Sequence, residues 1–308
     1  MPEAAEVRVI AEYLNKEWSN RLIAGLGWDE KSKFAKPKRG IKGLELVKVP
    51  CRVVGVFSRG KLIIIECINA ANETIYMVSQ LGMEGKWIHT KGSHSNFRVY
   101  FGDLSEDKTK YEVTDRWYYD DSRHFGHFNV YSDMGIPGKD HGPCLLTTAL
   151  VNSGTIDPAE LRPYQLLATL DLFKTKIKNK RMNQNKQLCI FIMEQKYVSG
   201  IGNYLRAEIL YRCKMHPRKT VGSFTDEQIS NLYDAILEQM LIAYGARGLT
   251  IKSYWDPEGN AGKCPLQVYN REEDLLGNPV ERIKEYPDKL PPRQGRTVHW
   301  VPTVQTIK

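Results

Sequence analysis

Hydrophobic positions recur at helical spacing at the start of the chain. Within AEVRVIAEYLNKEW, Val7, Ile10, Leu14 and Trp18 follow one another at intervals of three or four residues. This spacing places them on one face of an α-helix, so it predicts an amphipathic helix over residues 5–18. A helix there would hold the first residues of the chain in a fixed place.

From Leu22 to Tyr131 the pattern changes to short runs that are separated by Gly, Asn and Asp. The runs are LELVKVPCRVVGVFSRGKLIIIECI, TIYMVSQLGM, FRVYFG, YEVTDRWYY and HFGHFNVY. Several short strands with turn residues between them predict an antiparallel β-sandwich or barrel. The following stretch, Ser132 to Pro143, contains two Pro and three Gly and is predicted to be a hinge.

Helical spacing returns between Asp157 and Ala246. Thr225 with Gln228 three residues later has the spacing of a capping box, which predicts the start of one of these helices. Beyond Gly248 lies a loop rich in Gly and Pro, and then the runs LQVYNR and RTVHWVPTVQ, which are predicted to face each other as two strands.

The predicted fold class is therefore α+β: an N-terminal antiparallel β-sandwich with a leading helix, then a helical domain that ends in a β-hairpin. The predicted boundaries are 1–131 for the β domain, 132–155 for the hinge, 156–250 for the helical domain and 251–308 for the loop and hairpin.

Composition narrows the class of protein. The 308 residues are 42% hydrophobic and 26% charged, with a mean hydropathy of −0.44, which is typical of a globular protein. Apolar runs such as Leu62–Ile65 and Leu188–Met193 are far shorter than the roughly 20 residues of a membrane span. The N-terminus has no basic stretch followed by an apolar one, so no secretory signal is expected. The six cysteines form no C-x-x-C pair. They predict buried free thiols and neither a disulfide framework nor a thiolate zinc site.

The charge is concentrated in one segment. The chain has a net charge of +8, yet Leu172 to Lys219 alone carries twelve Lys and Arg against two Glu, a net charge of +10. Such a segment is either a solvated face or a surface that binds a polyanion such as nucleic acid.

The start MPEAAEV carries candidate chemistry. If Met1 is removed, Pro2 presents a secondary α-amine, and α-amines have a pKa of about 7.7–8.0 against about 10.4 for lysine. Part of that amine is unprotonated near neutral pH, so it can attack an aldehyde-like carbon and form an iminium ion. Glu3 beside it can give or take a proton. The alternative is that Pro2 and Glu3 only begin a helix.

Three other segments offer candidate side chains. Gly60 allows a turn that places Lys61 at the start of a buried strand, LGMEG pushes Met83 outward, and Arg123 and Phe125 lie two residues apart in SRHFG. Each also has an ordinary explanation, as an edge lysine, a core methionine, or a surface cation beside a core aromatic. A fourth segment, KYVSGIGNYL, predicts a tight turn before a helix, whose N–H groups suit a phosphate.

In this order the motifs resemble the formamidopyrimidine-DNA glycosylase/endonuclease VIII family of base-excision repair enzymes. They are MPEAAEV, RGK, LGMEG, SRHFG, SGIGNYLRAEILYRCKMHP, LQVYNR and GRTVHWVPTVQ, and they extend over nearly the whole chain. The resemblance implies a helix-two-turn-helix in the helical domain. It also implies a bifunctional DNA glycosylase and abasic-site lyase that removes an oxidised base and cuts the strand by β,δ-elimination.

The resemblance also implies a role for each candidate residue. Pro2 would attack the sugar C1′ to form a Schiff base, Glu3 would protonate the ring oxygen, Glu6 would line the pocket, and Lys61 would grip a phosphate beside the lesion. The remaining DNA-binding residues would be Asn203, Arg296 and Lys196, which face the backbone, and Met83, Arg123 and Phe125, which fill the gap left by the flipped nucleotide. Side chains inserted there would offset the few kcal/mol that flipping costs.

This sequence departs from the family pattern in two places. Relatives commonly end in a zinc finger with two C-x-x-C pairs, but Val301 and Val304 occupy the last pair's positions here. The resemblance therefore implies a zincless finger, held by apolar packing, with no metal and no cofactor. Gln80 and His124 stand where many relatives have His and a second Arg. These changes would retune contacts to phosphate and gap and leave the nucleophile untouched.

The expected partner is damaged double-stranded DNA, bound by a monomer without any membrane contact. The compartment would be wherever DNA is kept, whether nucleus, bacterial cytoplasm or viral factory, and the protein is not expected to be secreted. Because zincless relatives tend that way, oxidised pyrimidines and ring-opened or further-oxidised purines are the expected bases. Two alternatives stay open at this point: a non-catalytic protein of the same fold that binds damaged DNA, and an unrelated basic RNA-binding protein.

Overall fold

The computed structural model describes residues 2–36, 40–105, 111–135, 140–179, 185–249, 258–285 and 296–306. Lys180 and Arg181 of the basic segment, and residues 250–257 of the loop after Gly248, lie outside these ranges. The chain divides into two compact units. The first comprises Met1–Pro2, Glu6–Gly138 and Thr250–Gly262, and the second Glu3–Ala5, Lys139–Leu249 and Lys263–Lys308.

The first unit is an antiparallel sheet with a leading helix, as predicted. Helix α1 spans Ala4–Trp18, and its residues from Glu6 onward belong to this unit. The strands are β1 Leu22–Trp28, β2 Cys51–Arg59, β3 Leu62–Ile68, β4 Thr74–Gln80, β5 Lys86–Ile88, β6 Ser95–Leu104, β7 Tyr111–Asp120 and β8 His127–Tyr131. They form one sheet in the order β5-β7-β6-β1-β2-β3-β4-β8, in which each neighbouring pair is antiparallel.

The core of this unit explains both the helix and the curvature of the sheet. The predicted face of α1 is buried, and Trp18 makes edge-on contacts with Trp87 (5.2 Å) and Trp117 (5.6 Å). Trp87 on β5 also lies 6.1 Å from Phe128 on β8, although these strands are at opposite ends of the sheet order. The sheet therefore folds back on itself around one aromatic core, as a sandwich does.

The second unit is mainly helical. Its described helices are α2 Leu145–Asn152, α3 Leu170–Ile177, α4 Leu188–Phe191, α5 Asn203–Arg212 and α6 Asp226–Gly245. The capping box is confirmed: Thr225 accepts from the Gln228 N–H, and the Gln228 side chain accepts from the Thr225 N–H. Helix α2 lies inside the segment 132–155 that the sequence assigns to a hinge, and the domain boundaries stay a prediction.

The C-terminal hairpin differs from the sequence prediction. Strand β10, Arg296–Trp300, pairs with β9, Glu281–Glu285, and not with LQVYNR. The predicted strand is wrong because the N–H groups of Gln267, Val268 and Tyr269 all donate to the buried carboxylate of Glu208, at 2.8, 3.1 and 2.7 Å. Backbone groups bound in this way cannot form a strand ladder.

The predicted state of the cysteines is confirmed, since all six are free and buried. Burial raises the pKa of Cys51 to about 11 and that of Cys213 to about 12, so both are neutral thiols that pack as small apolar groups. Among the described residues, no helix is both long enough and apolar enough to span a membrane.

Candidate functional site

The side chain of Glu3 is tied to the N-terminus of α5. Its carboxylate accepts from the backbone N–H groups of Gly202 (2.6 Å), Tyr204 (3.1 Å) and Leu205 (3.3 Å), and only 2% of the residue is exposed. The N–H of Ala4 also donates to the carbonyl of Gly200 at 3.0 Å. The first turn of a helix offers unpaired N–H donors and a partial positive charge. The carboxylate that directly follows Pro2 is therefore held in a fixed place.

The same contacts correct the prediction that the turn before α5 binds a phosphate. The N–H of Gly200 donates to the side-chain carbonyl of Gln195 at 2.8 Å, and the N–H of Gly202 donates to Glu3. That prediction is wrong because the anion at this helix terminus is the protein's own carboxylate. The turn therefore positions Glu3.

The other predicted catalytic side chains belong to the first unit. Pro2 is buried, and Glu6 in the first turn of α1 is 1% exposed. Lys61 is half-buried in the two-residue turn between β2 and β3, where Arg59 pairs with Leu62. Gly60 has a φ of 57°, a left-handed conformation that this tight hairpin turn requires. The turn thus presents Lys61 as the sequence predicts, and the roles of these residues stay predictions.

The three predicted gap-filling residues come together on two adjoining loops of the first unit. Met83 and Phe125 are exposed by 37% and 52%, which is unusual for large apolar side chains. The guanidinium of Arg123 lies 5.3 Å from the centre of the Phe125 ring and 3.9 Å from a carboxylate oxygen of Glu84. A Cβ on Gly82 would lie 2.7 Å from the backbone carbonyl carbon of Phe125, so the loops touch. We call Met83, Arg123 and Phe125 the gap-filling cluster.

Tyr119, on β7, packs against both of these loops. Its hydroxyl donates to the carbonyl of Gln80 at 3.2 Å, and it lies where a Cβ on Gly85 or Gly126 would be, at 2.1 and 1.6 Å. Burial, and then the charge of Asp121, raise its pKa well above the usual value. Tyr119 is therefore a neutral donor. Nothing in the sequence near Tyr119 distinguishes it from an ordinary aromatic residue of a strand.

The free energy of unfolding of the Gly126→Ala variant is expected to be roughly 1–3 kcal/mol lower than that of the wild type, because the added methyl group overlaps the Tyr119 hydroxyl. In a Tyr119→Phe background the same substitution should cost less, since the closest atom is gone. Urea unfolding of the two single variants and the double variant measures the coupling. Additive costs would contradict this packing.

In the second unit, Arg206 contacts one predicted phosphate-binding residue, Asn203, and the backbone beside another, Arg296. Its Nη2 donates to Oδ1 of Asn203 and to the carbonyl of Thr297, the latter at 2.9 Å, and Thr297 directly follows the exposed Arg296. With Oδ1 engaged, the amide NH₂ of Asn203 is the group left to donate to an anion. Arg206 is 2% exposed and therefore positions these residues. In the sequence Arg206 stands out only as one cation of the basic segment.

Lys196, also in the second unit, is exposed. Its Nζ lies 3.3 Å from a carboxylate oxygen of Glu194 and 4.9 Å from the centre of the Tyr197 ring. The hydrogen bond to Glu194 is the main cause that raises its pKa. The structure thus places Lys196 in a surface ion pair, and its predicted contact with DNA stays a prediction.

The C-terminal hairpin is packed through apolar side chains. Val301 is fully buried and Val304 partly buried, in a cluster with Ala207, Tyr211 and Val268. The two positions that carry cysteines in zinc-finger relatives thus contribute to a small core. Within the described residues, no three His, Cys, Asp or Glu side chains are grouped so that they could hold a metal ion.

The stability of this hairpin should depend on pH through His299. Burial first, and then the charges of Arg282 and Arg206, lower the pKa of His299. Near and below pH 6.5 the histidine of the unfolded chain, with a pKa of about 6.5, is protonated more than the same histidine in the folded chain. The free energy of unfolding should therefore fall as the pH drops below about 6.5. Burial and Lys33 also lower the pKa of His127, so His299→Gln should remove part of this fall and not all. A pH series of urea unfolding curves that is identical for both proteins would contradict this.

Comparison with known proteins places both units in one family. The profile of the formamidopyrimidine-DNA glycosylase N-terminal domain matches residues 1–128, and that of the formamidopyrimidine-DNA glycosylase H2TH domain matches residues 163–254. Formamidopyrimidine-DNA glycosylase of Pediococcus pentosaceus is 28% identical over 315 aligned positions, with 100% of each chain covered. The Lactococcus lactis protein of the same name is 26% identical, with 99% of each chain covered.

The fold agrees with this assignment. The crystal structure of the MutM (Fpg) protein from Thermus thermophilus superposes with a TM-score of 0.72, at 22% identity, and covers 99% of this chain and 98% of that one. A mutant Lactococcus lactis Fpg in complex with DNA that contains Fapy-dG gives 0.72 at 23% identity, with 99% of each chain covered. The two profiles, the full-length relatives and the shared fold lead to one conclusion: the chain belongs to the formamidopyrimidine-DNA glycosylase family.

Proposed function

We propose that the protein is a bifunctional DNA glycosylase and abasic-site lyase of base-excision repair, acting on oxidised bases in double-stranded DNA. One observation carries the proposal: the carboxylate that directly follows Pro2 is fixed by three N–H groups at the start of α5. A nucleophile with a positioned proton donor and acceptor beside it is the arrangement that covalent catalysis with general acid/base assistance requires.

The chemistry follows from these two residues. After removal of Met1, the Pro2 nitrogen attacks C1′ of the damaged nucleotide. The bond between C1′ and the base breaks, and the base leaves with the proton that the Pro2 nitrogen loses. Glu3 delivers a proton to the ring oxygen, the sugar opens, and the nitrogen and C1′ become an iminium ion. Loss of a proton from C2′ then expels the 3′ phosphate, and a second elimination expels the 5′ phosphate. Water releases the sugar fragment and frees Pro2.

DNA binding would draw on both units. In the first unit, the gap-filling cluster would occupy the space of the flipped nucleotide, and Lys61 would bind a phosphate. In the second unit, Asn203 and Arg296 would bind phosphates from the surface that Arg206 organises. Affinity for the duplex should be largely electrostatic and should fall steeply with salt concentration.

The proposed substrates are ring-opened purines and oxidised pyrimidines. The fold is shared with Lactococcus lactis complexes whose DNA contains Fapy-dG or an oxidised pyrimidine. Catalysis is favoured over the binding-only alternative because the chain retains all three residues to which the family resemblance gives catalytic roles, Pro2, Glu3 and Lys61.

The proposal is tested with duplexes that each carry one Fapy-dG, one oxidised pyrimidine, one 8-oxoguanine opposite cytosine, or no lesion. Free base is measured by mass spectrometry, and the new strand ends on a denaturing gel. We expect release of the first two bases and a one-nucleotide gap flanked by phosphates. Tight binding that leaves every base intact would favour the binding-only alternative. A large preference for 8-oxoguanine would overturn the proposed substrate class.

A further inference from the structure

The first unit contains a pocket of about 600 Å³ beside the gap-filling cluster, to which the sequence analysis assigned no role. It is lined by Lys31, Lys33, Lys36, Gly40, Lys42, His124, Phe125, His127 and Asn129. The lysines come from the segment after β1, and the remaining side chains come from the loop before β8 and from β8 itself.

The lining of this pocket is cationic. Among the residues that the structure describes, the lining contains four lysines and no carboxylate, although the charge of the buried Asp121 also acts on Lys33 and His127. Among the described residues, Lys31, Lys36 and Lys42 form no ion pair, so their charges are not offset by a bound acid. Like charges held together around a concave surface create a strong positive potential, which favours a bound anion.

Lys33 has a different part in the pocket. Its ammonium donates to the carbonyl oxygens of His124, at 2.8 Å, and Gly126. The ring of His124 contacts the Asn96 amide nitrogen at 2.9 Å, and the residue has a φ of 56°, an uncommon left-handed conformation. Lys33 therefore holds the backbone of the loop that carries Phe125, and Asn96 holds the ring of His124 in the same loop. The pocket and the gap-filling cluster thus share this loop.

Phe125 connects the two sites directly. Phe125 lines the pocket and also belongs to the gap-filling cluster, with 52% of the residue exposed. A ligand in the pocket must therefore lie next to whatever Phe125 inserts into. A polymer with regularly spaced phosphates can meet the two sites at once, and a small free anion cannot.

We infer that this lysine-lined pocket binds the phosphodiester backbone of the duplex next to the lesion, so that backbone binding and gap filling occur on one element. This inference rests on the proposed function. Lys36 and Lys42 would each neutralise a phosphate, and Lys33 would hold the loop in place. The site would add sequence-independent affinity beside the point where the duplex is opened, and this affinity would favour the flipped nucleotide over the stacked one.

The test compares the salt dependence of binding in the full-length protein. The probe is a fluorescent duplex with one tetrahydrofuran abasic-site analogue, which cannot be cleaved, titrated at several KCl concentrations. For Lys36→Gln/Lys42→Gln we expect a log Kd against log[KCl] slope that is less steep by about 2, and affinity at least roughly 10-fold weaker at 0.1 M salt. Lys36→Arg/Lys42→Arg should keep the wild-type slope because it keeps the charge.

Lys48→Gln is the matched control. Lys48 forms an exposed ion pair with Glu73, the residue just before β4. Met83 of the gap-filling cluster follows the other end of β4, and a strand of this length separates Glu73 from it by roughly 20 Å. This variant should bind the duplex with the wild-type slope. Equal thermal midpoints for all variants show that folding is not the cause of a difference.

Two results would overturn the inference. One is an unchanged slope in the double glutamine variant. The other is an NMR signal of His127 that inorganic phosphate shifts at constant ionic strength while the duplex does not, which would make the pocket a small-anion site. The base-release assay separates this failure from failure of the proposed function. If the wild type releases bases but the double glutamine variant keeps the wild-type salt slope, only the inference about the pocket is refuted. If the variant changes the slope but the wild type releases no base, only the proposed enzymatic function is refuted.

Discussion

The Glu3→Gln variant is expected to release damaged bases roughly 100- to 10,000-fold more slowly than the wild type, the range that a positioned acid/base group contributes. An amide cannot deliver the proton that opens the sugar. Its NH₂ group would also face one of the N–H donors that now bind the carboxylate, since Gly202 and Leu205 donate to one oxygen and Tyr204 to the other. The loss therefore has a chemical and a positional part.

Single-turnover base release, with enzyme in excess over lesion duplex, measures this effect without product release. Glu12→Gln is the control, because Glu12 lies on the same helix in a partly exposed pair with Arg8 at 2.6 Å, and such pairs contribute little. Wild-type rates are expected for it. A Glu3→Gln protein that keeps more than a tenth of the wild-type rate would show that Glu3 is not the proton donor.

The second large effect is expected from Glu208→Gln, which should lower the free energy of unfolding by about 2–4 kcal/mol. Both carboxylate oxygens of Glu208 accept from backbone N–H groups, Gln267 on one and Val268 and Tyr269 on the other. Burial raises the pKa of Glu208 and these hydrogen bonds act against that rise. An amide would leave at least one buried N–H facing another donor.

Urea unfolding, followed by far-UV circular dichroism, measures this cost. Glu272→Gln is the control, because Glu272 forms an exposed pair with Arg282 in the same region and should change stability by less than about 1 kcal/mol. Equal costs for the two variants would mean that the Glu208 hydrogen bonds do not hold the segment before the hairpin.

The sequence predicted those parts of the fold whose signal is local. The face of α1, the short strands up to Tyr131 and the cap at Thr225 each follow from the spacing of a few neighbouring residues. The prediction of a strand at LQVYNR was wrong because its alternating apolar residues suit two structures equally well. One is a strand, and the other is a segment whose backbone N–H groups bind a distant carboxylate. Glu208 lies about 60 residues away along the sequence, and no pattern near LQVYNR indicates that this residue is its partner.

The candidate site shows the same division. Motif order identified Pro2, Glu3 and the gap-filling residues, but the partners that position them are set by tertiary contacts. Tyr119 reads as an ordinary strand aromatic, and Arg206 as one cation among many. The lysines at 31, 33, 36 and 42 are visible in the sequence. Only the fold shows that they surround a pocket beside Phe125.

Borohydride trapping tests the central claim most directly. Purified protein without Met1 is incubated with a duplex that carries one abasic site, beside the Pro2→Thr variant and an undamaged duplex, and the iminium is reduced to a stable bond. We expect a covalent protein–DNA adduct that requires both the lesion and Pro2, with the modified residue identified as the N-terminal proline by peptide mass spectrometry. An adduct of equal yield in Pro2→Thr, or none with any duplex while salt-sensitive binding persists, would contradict the account.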